Sequence, residues 1–141
     1  MFKFKLEKLL KYKEELEKSA ERALAVAIDG QGRLDGLLQQ VGSRLQVSFS
    51  ESQTRRLHDS VHMDFFRASL CRSIEELKEQ MEDAKQEVEA CHSKLIAARK
   101  ERLLLEKLKE KQLQDYLAEV NYKEQVVSDD LVTVRFRYGS V

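Results

Sequence analysis

Residues 74–98 read IEELKEQMEDAKQEVEACHSKLIAA. Alternating steps of three and four land on Ile74, Leu77, Met81, Ala84, Val88, Cys91, Leu95 and Ala98, all apolar, while Glu, Lys, Gln and Asp fill most of the positions between. That spacing is the a/d seam of a coiled coil with a solvated back. Upstream, steps of four and three from Phe2 give a second series: Leu6, Leu9, Lys13, Leu16, Ala20, Ala23, Ala27, Gly30, Leu34, Leu37 and Val41. Between the two series lies a polar, breaker-rich segment. The expectation is therefore an all-α fold, a long antiparallel two-helix coiled-coil hairpin.

Composition agrees. Of 141 residues 35% are charged, and there is no proline, where average usage would supply roughly seven. An interior proline costs a helix about 3 kcal/mol, so nothing of that kind stops either helix early. Two helices bury one narrow seam, and the entropy of ordering the chain cancels much of that gain. A marginal monomer that gains order from partners is expected.

The pattern predicts one coiled-coil domain over residues 1–141: helix 1 over about 2–46, a connection over about 47–52, helix 2 over about 53–127, and a disordered tail over 128–141. The weak part of helix 1 is Asp29–Gly36, with three glycines at about 1 kcal/mol each against alanine. Either the helix continues through it or a turn falls at 29–33. The heptad phase runs unbroken from Ala27 through Leu34 to Val41, which favours continuity. In the connection, Val47-Ser48-Phe49-Ser50-Glu51-Ser52-Gln53, Ser50 or Ser52 is placed to cap the next helix. A turn centred near residue 50 pairs residues whose numbers sum to about 101, setting Leu16 opposite Lys85 and leaving everything after Lys100 beyond the hairpin. The tail 131–138 alternates at period two, a pattern that also suits a strand added to a partner sheet.

Formal charge balances at 25 against 25 but is unevenly spread. Residues 1–18 carry six Lys against four Glu, residues 74–91 seven acids against two Lys, and residues 99–111 six bases against three Glu. Local fields of alternating sign orient protein partners or set helix register; the single continuous basic face of a nucleic-acid binder is missing. The longest apolar run, Ala23–Ile28, is too short for a signal peptide or a membrane span. Cys71 and Cys91 stand about 30 Å apart if they share a helix, too far to bond. The reading is a reduced, cytoplasmic protein without membrane insertion.

Catalytic motifs are missing: no phosphate-binding glycine loop, no His-Glu-x-x-His, no Cys-x-x-Cys and no Gly-x-Ser-x-Gly. No cofactor is implied. His58 and His62 share a helix face at metal-ligand spacing, but a third ligand is lacking, so they read as polar residues near a hairpin tip. Val61, Met63, Phe65, Phe66, Leu70 and Ile74 are too bulky a set for one seam stripe. Met63, Phe66, Leu70 and Ile74 take the seam positions, and the excess is either a locally widened core or a knob for a partner.

Several segments resemble the flagellar export protein FliJ family. They are the opening Met1-Phe2-Lys3-Phe4-Lys5-Leu6-Glu7-Lys8-Leu9-Leu10-Lys11-Tyr12-Lys13, the segment Phe65-Phe66-Arg67-Ala68-Ser69-Leu70, and the half from Ala98-Arg99-Lys100 through Leu105–Lys111 and Tyr116 to Asp129-Asp130-Leu131. The resemblance implies a soluble, non-enzymatic component of the type III flagellar export apparatus. It would act as a stalk that binds and stimulates the hexameric export ATPase and links it to the membrane export gate protein and to export chaperones. It would be cytoplasmic and peripherally associated with the membrane apparatus. On that basis Phe2, Phe4, Leu6, Leu105, Lys107, Leu108, Lys109, Lys111 and Tyr116 are the ATPase-binding candidates, and Met63, Phe66 and Leu70 the export-gate candidates. The alternatives are a purely structural coiled coil dimerising through the same seam, or the equivalent stalk of a virulence-type secretion system.

Overall fold

The computed structural model describes residues 1–51 and 57–139, and their side chains except those of Glu51 and residues 57–60. Two long helices pack against each other: α1, Glu7–Glu51, and α2, Leu57–Gly139. Contacts divide the chain into one unit of Met1–Leu16 with Ala98–Val141 and another of Glu17–Ala97.

α1 opens where the amides of Glu7 and Leu10 donate to the carbonyls of Phe4 and Leu6, with the Glu7 carboxylate suited to the positive helix start. It passes through the glycine stretch without a break, as the unbroken heptad predicts, and none of its glycines takes a positive φ. Val47–Glu51 is helical too, although a connection was expected from residue 47. The serines there do not break the helix because their hydroxyls bond back into it: Ser48 Oγ donates to Leu45 O at 2.6 Å and Ser50 Oγ to Val47 O at 2.8 Å. Ser52, the other expected cap, and the start of helix 2 at residues 53–56 lie outside the described residues.

α2 buries or half-buries the whole expected series from Ile74 to Ala98, and its seam goes on through Arg102, Leu105 and Lys109. In α1 the main covered row is Leu10, Lys13, Glu17, Ala20, Leu24, Ala27, Gln31, Leu34, Leu38, Val41, Leu45 and Ser48. Every second position therefore moves by one residue from the expected series, which had Leu9, Leu16, Ala23, Gly30 and Leu37. The two phases share Lys13, Ala20, Ala27, Leu34 and Val41. They part at Leu24, which is larger than Ala23, and again at the end of α1, where the expected phase would carry Arg44 into the seam and the observed one carries Leu45. Against those gains the observed phase covers Glu17 in place of Leu16. Leu9, Leu16 and Leu37 are left on the flank, 39 to 46% exposed.

Register also differs from expectation. In the first unit Lys13 Nζ meets Glu101 Oε2 and Lys109 Nζ meets Glu7 Oε2, each at 2.8 Å, and the Phe2 ring lies 5.6 Å from that of Tyr116. In the second, Arg67 bonds Ser48. Paired numbers sum to about 115 rather than 101, so Leu16 does not face Lys85, and residues 101–116 pair with the N-terminal segment instead of projecting. The offset is about two heptads, which keeps seam positions on seam positions, and about half of it follows from α1 continuing to Glu51. Residues 128–139, expected to be disordered, continue α2. With no proline or interior glycine, the period-two pattern there does not stop a helix already propagating. The seam is occupied by the two helices of one chain.

Candidate functional site

The expected ATPase-facing residues all belong to the first unit, and they fall into two groups. Phe4 is buried, and Phe2, Leu105, Lys109 and Tyr116 are half-buried. Phe2 and Tyr116 stack as a tilted ring pair, and Lys109 is held by Glu7. These side chains fix the N-terminal segment on α2. With Lys3, the residues Phe2, Phe4, Glu7 and Lys109 line an open groove of about 370 Å³. Leu6, Lys107, Leu108 and Lys111 are exposed. On α2, Leu104, Lys107, Leu108 and Lys111 follow one another at helical spacing, so cations and apolar side chains share one face.

The gate candidates lie in the second unit. Met63 and Leu70 are buried, whereas Phe66 is 47% exposed. The expected seam position of Phe66 is taken by Arg67, whose side chain is 18% exposed. Met63 and Phe66, with Gln40, Arg44, Val47 and others, line a mainly apolar groove of about 400 Å³. Val61 and Phe65 stand exposed on other faces, as their surplus over one stripe required.

Sequence reading missed the group that closes this end of α1. Arg67 Nη2 donates to Ser48 O at 2.8 Å, Nε lies 3.4 Å from Ser48 Oγ, and the guanidinium sits 4.3 Å above the Phe49 ring. The last four carbonyls of a helix lack partners of their own, and the last turn of α1 carries no basic residue. A cation from α2 takes that place. No sequence signal marks it beyond an Arg among aromatics.

Electrostatic perturbation is local. Burial, and then the Glu87 carboxylate 3.6 Å from its sulfur, push the Cys91 thiol above its ordinary range. The hydrogen bond between Lys123 and Glu119, at 2.8 Å, lowers the Glu119 carboxyl and raises the Lys123 amine. Cys71 and Cys91 are both free thiols. Among the described residues no three His, Cys, Asp or Glu side chains converge on a metal position; the side chain of His58 lies outside them. No helix there is long and apolar enough to cross a membrane.

Two helices zipped along a heptad seam, with open grooves and mixed cationic and apolar surface, define an all-α coiled-coil hairpin protein. The family model for the Flagellar FliJ protein matches residues 2–139. The chain belongs to that family, and so is a component of the flagellar export apparatus. No curated protein and no solved structure matches it.

Proposed function

We propose that this protein is the stalk of the export ATPase complex: it binds and stimulates the hexameric ATPase and links it to the export gate and export chaperones. The observation that carries the reading is the first unit. There an N-terminal segment is pinned to α2 by two ion pairs and a ring contact, and beside it Lys107, Leu108 and Lys111 stand free of the seam. A stiffened helix pair with outward cations and leucines suits insertion into a ring lined by acidic loops. Phe2, Phe4, Leu105, Lys109 and Tyr116 then shape the inserted end from within, and Leu6, Lys107, Leu108 and Lys111 make the contacts. In the second unit Phe66, backed by Met63 and Leu70, offers the gate its aromatic contact.

The test is stimulated ATP hydrolysis by the purified ATPase. Lys107→Gln with Lys111→Gln is expected to abolish stimulation at unchanged helicity; stimulation equal to the parent's refutes the assignment. Phe66→Ala is expected to weaken gate binding without lowering the melting temperature.

A further inference from the structure

α2 carries a second heptad stripe, one residue out of phase with the seam. From Leu113, steps of four and three land on Leu117 and Val120. After one polar position, Glu124, they continue through Val127, Leu131, Val134 and Tyr138. All of these apolar side chains are exposed except half-buried Val120, and Tyr138 is 80% exposed. Every residue from 121 to 139 is exposed. The stripe runs about 38 Å at 1.5 Å per residue, between three and four heptads, the length at which such a pattern specifies a coiled coil.

The charges beside it say what covers it. On one flank of the stripe stand Lys123, just before Glu124, and one heptad on Asp130, just before Leu131. An antiparallel partner of identical sequence, set with Leu113 opposite Tyr138, brings Lys123 opposite Asp130 of the second copy and, by the two-fold axis, the reverse. The same arrangement sets Glu124 opposite Val127. A parallel partner would instead place Glu124 against Glu124 and Lys123 beside Ser128. The stripe is thus self-complementary in one orientation.

We propose that two copies of this chain associate through an antiparallel coiled coil formed by residues 113–138 of α2. This surface is separate from the seam and from the exposed residues assigned to the ATPase.

The experiment is sedimentation equilibrium of the full chain over a concentration series, with helicity followed by circular dichroism. The 16.4 kDa chain is expected to approach twice that mass as concentration rises, and Val127→Glu with Leu131→Glu to hold it at the monomer mass. Lys123→Glu alone, or Asp130→Lys alone, turns two attractions into two repulsions and is expected to weaken the dimer about tenfold. The double exchange is expected to restore it. Because the double variant still lacks the Glu119–Lys123 bridge within the helix, recovery reports the contact between chains. A monomer at every concentration overturns the proposal, as does a dimer indifferent to the Val127 and Leu131 substitutions or to the single charge changes.

Discussion

Replacing Arg67 by alanine removes the side chain that ties α2 to the end of α1. Three contacts go at once: the 2.8 Å bond to Ser48 O, the weaker one to Ser48 Oγ, and the stacking on Phe49 at 4.3 Å. The Asp64 pair, at 3.6 Å with its acid 71% exposed, adds little. A hydrogen bond from a charged donor is worth about 1.5–3 kcal/mol, and a partly covered cation–π contact adds about 0.5–1 kcal/mol. Ser48 is 2% exposed, so water does not readily replace the lost donor. The expected destabilisation is about 2–3 kcal/mol, or roughly a 5–10 °C drop in melting temperature for a chain of this size. Arg67→Lys keeps the charge but loses the planar fork and most of the stacking, and should recover less than half of that. Thermal melts followed by helicity measure both, and an Arg67→Ala/Phe49→Ala double-mutant cycle isolates the ring contact. If Arg67→Ala melts within about a degree of the parent, against the shift expected for this loss, the clip contributes nothing and the reasoning fails.

Gly30→Ala, Gly32→Ala and Gly36→Ala should each stabilise the protein by about 1 kcal/mol in chemical denaturation, because a Cβ at any of them has nothing within 4 Å. Cys71 should react with a thiol reagent in the native protein, while buried Cys91 reacts only as the helices open. The raised Cys91 thiol stabilises the fold fully below the ordinary thiol range and loses that contribution as pH climbs through its folded value, so melting temperature should fall there and Cys91→Ser should flatten the fall. Lys13→Leu should raise the melting temperature while broadening the distance distribution between spin labels at residues 8 and 107, with a second, longer population because a one-heptad slip displaces them by about 10 Å along the helix axis; a single narrow peak would show that Lys13 does not hold the register.

The seam of α2 is readable because Ile74, Leu77, Met81, Ala84 and Val88 have no apolar neighbour one residue away, and that phase carries on through Cys91, Leu95 and Ala98 although Ile96 adjoins Leu95. α1 has such neighbours: Leu9 with Leu10, Ala23 with Leu24 and Leu37 with Leu38 are adjacent, and period alone does not choose between them. The true phase is set by Leu24 against Ala23 and by Leu45 against Arg44 near the end of the helix, and it tolerates Glu17 in the covered row. The turn was misplaced for a local reason, since Ser48 and Ser50 resemble breakers in sequence but bond their own helix. The later end of α1 accounts for about one of the two heptads by which the register differs, and the boundary between paired and open parts of α2 moves with it. Residue type alone does not separate core residues such as Phe4, Met63 and Leu70 from surface ones such as Lys107 and Phe66.

The polar members of the seam explain why this register is held at all. Lys13, Glu17 and Gln31 occupy covered positions that leucine would fill with more apolar burial. A uniformly apolar seam would be indifferent to slips by a heptad, because each slip sets seam against seam. A lysine at such a position is different: it meets Glu101 at the observed offset, whereas a slip of one heptad brings Lys94 or Leu108 to that place and leaves it without a carboxylate. The ion pair itself is worth little, since Lys13 is 25% and Glu101 54% exposed. Its effect lies in the cost of the alternatives. A helix pair that must present Lys107, Leu108 and Lys111 beside a particular N-terminal segment needs one register more than it needs a deep core, and Lys13–Glu101 and Glu7–Lys109 supply that selection at the end of the chain where the proposed contacts lie.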